Sequence, residues 1–172
     1  MGKFVTESEM KFGPYNEESF IYIEKHPRYE RIQQDMKMSE LIYYNEDKKQ
    51  LISLEAKKSA PNPHSTEREN PMERFREFID EICEKFQNSL DLYTRLALEK
   101  DTPKGFFKID YKETEIVFIL VIKNHKKEWL GEVKDAIEMS VRRIHRLNKI
   151  WKCRVLVLNE EMALRNNLMV ES

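Results

Sequence analysis

The chain has 172 residues and a mass of 20.8 kDa, which suits one compact domain spanning residues 1–172. It is 40% hydrophobic and 35% charged, and 30 basic against 31 acidic side chains leave a net charge of -1. That balance excludes a globally basic nucleic-acid binder and confines any such binding to a local patch.

The four glycines, Gly2, Gly13, Gly105 and Gly131, stand apart from one another. A phosphate-binding P-loop, a G-x-G-x-x-G turn and a G-x-S-x-G elbow all need clustered glycines and are excluded. Cys83 and Cys153 form neither a C-x-x-C pair nor a zinc-ligand spacing, so buried thiols in a reducing compartment are expected. The opening MGKFVTESEM is polar, unlike a signal peptide. No stretch approaches the roughly 20 apolar residues of a membrane helix. A cytoplasmic protein without a membrane partner is expected.

In chain order, residues 20–24 (FIYIE), 39–44 (SELIYY) and 50–57 (QLISLEAK) read as three strands rich in aromatic and β-branched residues. The polar run 45–49 between the second and third reads as a hairpin loop. In the third strand Ile52, Leu54 and Ala56 share one face, while Ser53, Glu55 and Lys57 share the other. A proline-punctuated loop follows. Asn70, Pro71 and Glu73 then form a helix-start pattern, and Phe75, Ile79, Ile82, Phe86, Leu90, Tyr93 and Ala97 recur at helical spacing, which predicts a helix over 71–99. Residues 115–123 (EIVFILVIK) read as a central strand buried on both faces. Residues 132–149 read as an amphipathic helix with Val133, Ile137, Val141, Ile144 and Leu147 inward. Residues 153–158 (CRVLVL) read as a last strand, with Asn159 capping a short terminal helix. An antiparallel meander followed by αβαβα predicts an α/β fold, a mixed central sheet flanked by helices.

The hairpin allows its register to be worked out. A turn centred between Asp47 and Lys48 sets Tyr44 opposite Leu51, Ile42 opposite Ser53, and Glu40 opposite Glu55. Directly opposed side chains in an antiparallel pair have Cβ atoms roughly 5 Å apart, and two like charges there need compensation. A divalent cation supplies it, because carboxylate oxygens are the ligands Mg²⁺ prefers. Lys57 projects from the same face and places a positive charge beside such a metal. The competing reading of Glu40, Glu55 and Lys57 is an ordinary cross-strand charge cluster on a solvated face. Glu24, at the end of the first strand, is either an additional acid near the site or a rim residue.

A carboxylate on one strand followed by Glu-x-Lys on its hairpin partner, here Glu40 and then Glu55-Ala56-Lys57 within LISLEAKKS, resembles the PD-(D/E)XK, or restriction-endonuclease-like, nuclease superfamily. The long helix, strand, helix and strand that follow are similar to that fold, so the resemblance covers residues 20–158. More narrowly, SELIYY, LEAKKSAPNP, IKNHKKEW and LNEEMA are similar to segments of a family of small prokaryotic proteins. The resemblance implies that Glu40, Glu55 and the Ala56 carbonyl hold Mg²⁺ or Mn²⁺, that Lys57 positions or activates the attacking water, and that Glu55 and Lys57 carry a metal-assisted phosphodiester hydrolysis. Two departures stand out. Ser39-Glu40 replaces the family's Pro-Asp, and residues 7–18 offer only a poor match to the helix expected before the first strand.

Residues 140–154 contain six bases and no acid. On a continuous helix Arg142, Arg146 and Lys149 share a face at i, i+4, i+7, a stripe suited either to a nucleic-acid backbone or to solvent. His125, in KNHKK after the central strand, is a loop histidine open to phosphate or to solvent alone. Two functions follow from these features. One is a metal-dependent nuclease acting on nucleic acid. The other is a non-catalytic interaction module, as a homodimer or within a larger complex, on a nuclease-like scaffold with a relic site.

Overall fold

The computed structural model describes residues 2–143 and 146–171. Its elements are β1 (Lys3–Glu7), β2 (Met10–Tyr15), β3 (Phe20–Ile21), α1 (Pro27–Glu30), β4 (Leu41–Asn45), β5 (Gln50–Lys57), α2 (Pro71–Leu98), β6 (Glu115–Ile122), α3 (Leu130–Arg143), β7 (Cys153–Asn159), α4 (Glu160–Arg165) and β8 (Met169–Val170). Five strands form a mixed sheet in the order β3-β4-β5-β6-β7, antiparallel from β3 to β5 and parallel from β5 to β7. A separate antiparallel sheet has the order β1-β2-β8. The architecture is mixed α/β. No helix among the described residues is long and apolar enough to cross a membrane.

The two faces of the main sheet follow from strand alternation. Leu51, Phe118, Leu120, Val155 and Val157 point into a core closed by Ile79, Ile82, Phe86 and Leu90 of α2 and Val133 and Ile137 of α3. Leu54, Ala56, Val117, Ile119 and Val121 point the other way, against Val5 and Phe12 of the small sheet and Ala163 of α4. Helices α2 and α3 therefore cover one face, while a sheet and one short helix cover the other. Strand β5 lies at the middle of the order, with β6 beside it and paired on both edges.

Three segments differ from the sequence reading. Residues 7–18, the poor helix candidate, lie largely in the β1–β2 hairpin, whose register pairs Glu7 with Met10 across Ser8 and Glu9. The first expected strand shortens to Phe20–Ile21 before a 3₁₀ turn at Ile23–Lys25, because His26-Pro27 turns the chain into α1. The helix expected over 132–149 starts earlier, at Leu130, and ends at Arg143. Arg146 then adopts a left-handed φ of 53° and Leu147–Lys149 form a 3₁₀ turn. Ile144, expected inward, lies outside the described residues. At the start of α2, Asn70 is left-handed (φ 51°) and its side chain makes no capping bond, whereas Asn159 does cap α4 by accepting from the Met162 N–H at 3.0 Å.

The carboxylate and lysine cluster at the carboxyl edge of the parallel strands

Strands β4 and β5 pair as the turn arithmetic requires, with Tyr44 opposite Leu51, Ile42 opposite Ser53 and Leu41 opposite Leu54. The ladder stops there. Glu40 donates its N–H to the Leu54 carbonyl at 3.0 Å, one step off that register, so Glu40 and Glu55 are not the directly opposed pair expected, although Glu40 lies close enough for the Glu55 charge to raise its carboxyl. The segment before β4 is anchored by three serines. Ser89 of α2 accepts from the Ser39 N–H at 2.7 Å, and the Ser39 hydroxyl lies 2.8 Å from both the Ser53 and Ser89 hydroxyls. All three are buried, so the network fixes Glu40 against the rigid middle of α2.

The face carrying Ser53, Glu55 and Lys57 is not solvated. It lies under α2, whose Glu81, Lys85 and Ser89 fall at i, i+4, i+8 and form a polar stripe along an otherwise apolar contact. Glu55 is fully buried, and its Oε1 accepts from Lys85 Nζ at 2.6 Å, with Lys57 Nζ 3.4 Å away. Lys57 in turn donates to Glu81 at 2.7 Å, and Lys37 reaches the other Glu81 oxygen at 3.0 Å. These two lysines hold the Glu81 carboxyl down at about 2. Burial pushes the Glu55 carboxyl up, a shift that Lys85 and Lys57 oppose. Burial also works against the Lys85 ammonium, but Glu55 followed by Glu40 and Glu81 outweighs it and holds that group above its ordinary value.

On the other side of Glu40 lie two further acids. Oxygens of Glu7, Glu24 and Glu40 sit within 4.8 Å of one another. Glu7 ends β1 and accepts from the Tyr22 hydroxyl, and Glu24 occupies the 3₁₀ turn after β3. Burial, then the charges of Glu55, Glu24 and Glu7, drive the Glu40 carboxyl up to about 9. Burial and Glu24 raise Glu7 as well. Among the described residues, Glu40 Oε2 and Glu55 Oε2 are buried without a hydrogen-bond partner. The Ala56 carbonyl accepts from the Ser8 hydroxyl at 3.0 Å, which leaves one of its two lone pairs. Carboxylates and a carbonyl are the hard oxygen donors that Mg²⁺ and Mn²⁺ favour, so the donor types suit such an ion; among the described residues the mutually close carboxylates are those of Glu7, Glu24 and Glu40, and Glu55 lies outside that group.

The site therefore gathers Glu40, Glu55, Ala56 and Lys57 at the carboxyl end of β5, the edge at which open α/β sheets place their ligands. Sequence reasoning weighed Glu24 and missed Glu7, Lys85 and Glu81. For Lys85 and Glu81 a signal existed in their spacing with Ser89. Glu7 carried none, because residues 7–18 did not read as a hairpin. The basic stripe lies elsewhere. Helix α3 runs from the carboxyl end of β6 back to the amino end of β7, so Arg142, Arg146 and Lys149 sit at the opposite end of the sheet. They do not form one helical row, since the helix ends before Arg146. Cys83 is buried and Cys153 half-buried, and both are free thiols that burial pushes up to about 11.

Comparison with family models, curated proteins and solved structures yields no match to this chain.

Proposed function

We propose that this protein is a metal-dependent phosphodiesterase acting on nucleic acid, with Mg²⁺ or Mn²⁺ held by Glu40 and Glu55 and supported by Glu7, Glu24 and the Ala56 carbonyl. The observation that carries the reading is the pair of buried, unpartnered oxygens on Glu40 and Glu55 beside a three-glutamate cluster. Glu7, Glu24, Glu40, Glu55 and Glu81 face Lys57 and Lys85 within the site and Lys25 and Lys37 at its exposed rim, so the acids outnumber the ammonium groups by one among the described residues. A divalent ion offsets that excess and allows Glu40 to ionise near neutral pH. When bound, the ion polarises a phosphoryl oxygen and lowers the pKa of a coordinated water.

The protein's own residues do the rest. Lys85 holds Glu55 in place through Oε1 and leaves Oε2 for the ion. Lys57 borders a cleft of about 620 Å³, where its ammonium meets a substrate phosphate and steadies the charge that develops on it. Exchange of Lys57 from Glu81 to phosphate accompanies binding.

One observation favours the interaction-module reading. Lys85 and Lys57 already bond the Glu55 and Glu81 carboxylates, as in a relic site that compensates its own charge. Calorimetric titration with Mn²⁺ separates the two. A working site binds Mn²⁺ and cleaves labelled DNA or RNA. Glu55→Gln then abolishes metal binding, and Lys57→Ala abolishes cleavage but leaves metal binding intact. Absence of both metal binding and cleavage in the wild-type protein selects the relic.

A further inference from the structure

Beside the Lys57 cleft lies a second, smaller pocket of about 100 Å³. Pro61 and Asn62, in the loop between β5 and α2, belong to the walls of both. The pocket is aromatic. Phe75 forms its buried side, Trp129 stands at its mouth with 41% of its surface exposed, and the His125 ring meets the indole edge-on with centroids 5.9 Å apart. Lys126 Nζ sits 4.7 Å from the indole centroid, which steadies the ring and adds positive charge at the mouth. His64 and Glu132 close the rim through a 2.9 Å contact. His125 Nε2 is buried without a hydrogen-bond partner among the described residues. Burial lowers the proton affinity of the His125 ring, opposed by its interaction with the Trp129 backbone.

The pocket is far smaller than a drug-sized cavity, and three of its lining side chains, Phe75, His125 and Trp129, are flat rings. The adjoining cleft carries Arg68 and Arg74 together with Lys57, against Glu77 and Glu81. Flat apolar walls beside a row of cations match a base joined to its phosphate backbone. A base stacked and paired in a duplex cannot enter such a pocket, whereas an unstacked base of a single strand can. We infer that the His125–Trp129–Phe75 pocket receives one unstacked base of a single-stranded nucleic acid while Arg68, Arg74 and Lys57 hold the adjacent backbone. The inference rests on the proposed phosphodiesterase reading and names its substrate as a single strand.

The test is fluorescence anisotropy in Ca²⁺, with a labelled oligo-dT, an oligo-rU, an abasic strand of equal length and a dT·dA duplex. Stacking on an aromatic platform predicts that dT or rU binds roughly 5- to 150-fold tighter than the abasic strand and tighter than the duplex. Trp129→Ala erases the gap between dT and the abasic strand, and Trp129→Phe, which keeps a stacking face, preserves most of it. Arg74→Ala weakens dT and abasic strands alike and reduces the salt dependence. Equal binding of dT, abasic strand and duplex, unchanged binding by Trp129→Ala, or no binding of any strand overturns the inference. Metal-dependent cleavage that persists in Trp129→Ala with unchanged affinity overturns the pocket alone. A base preference in a protein that neither binds Mn²⁺ nor cleaves overturns the phosphodiesterase reading alone.

Discussion

The sharpest consequence of the carboxylate cluster concerns Glu40. Its carboxyl rises from 4.5 to about 9, and the side chain belongs to a residue only 6% exposed. A group whose folded pKa lies above its unfolded one binds a proton more tightly in the native state. Its stabilising contribution is therefore complete below pH 4.5 and is lost progressively as pH rises towards 9. Glu40→Gln removes this titration and keeps the size and shape of the side chain. The stability gap between variant and wild type should grow in the variant's favour by about 1.36 kcal/mol per pH unit within that window. From 4.5 to pH 7 the change amounts to roughly 3 kcal/mol, an upper figure, since rearrangement of Glu7 and Glu24 relieves part of the repulsion. For a chain of this size each kcal/mol moves the melting temperature by about 2–4 °C. Urea unfolding without metal at pH 5, 6, 7 and 8 measures the gap, and its slope is independent of any fixed cost of the amide. A gap that stays constant across these pH values refutes the reasoning, because Glu40 would then ionise as an ordinary carboxylate. Added Mn²⁺ should narrow the gap at pH 8 by stabilising the wild type and not the variant.

Lys85→Met leaves Glu55 buried without its 2.6 Å partner and should destabilise the protein by roughly 3–5 kcal/mol, with the loss shrinking as pH falls because burial favours the protonated Glu55 carboxyl. Adding Glu55→Gln should recover much of the loss, and a double-mutant cycle by urea unfolding checks the coupling. Gly105→Ala should cost roughly 1–3 kcal/mol, because a Cβ there would lie 2.4 Å from the Glu18 carbonyl oxygen and 2.3 Å from the Ser19 hydroxyl. A melting temperature equal to wild type would show that the 3₁₀ turn at Lys104–Lys108 shifts freely.

The sequence made the β4–β5–α2–β6 framework legible because each piece carries a strong local signal. The hairpin has a short polar turn between runs of opposite alternation, α2 repeats its apolar residues from Phe75 to Ala97 over about six turns, and β6 is apolar after Glu115. The register followed from the turn alone, and it placed Glu40 and Glu55 near one another. What stayed hidden depends on tertiary packing. Solvation of the face carrying Ser53, Glu55 and Lys57 was the alternative to a metal site because polar alternation ordinarily marks solvent, and the matching Glu81, Lys85 and Ser89 of α2 allow that face to be buried. The end of α3 was hidden for a related reason. Leu147 continues the apolar spacing, but it reaches the core from a 3₁₀ turn after a left-handed Arg146, so periodicity alone extends the helix too far.

The N-terminal hairpin joins these observations. Its two turn residues, Ser8 and Glu9, both have positive φ, 50° and 63°, in a two-residue connection that asparagine and glycine fill at least cost. Side chains with a Cβ are strained there, and their contacts account for their presence. Ser8 donates to the Ala56 carbonyl. Glu9 bridges Lys58 at 2.6 Å and Lys123 at 2.9 Å, and these two cations hold its carboxyl down at about 2. Glu7, one residue earlier, enters the three-glutamate cluster. Three consecutive residues of the small sheet thus touch β5, the residue after β6 and the acid cluster at one edge of the main sheet. A turn of Asn and Gly would relieve the strain and remove the Ser8 hydroxyl and the Glu9 carboxylate. The cost of the left-handed turn is therefore local, and what it secures is the position of Glu7 beside Glu40.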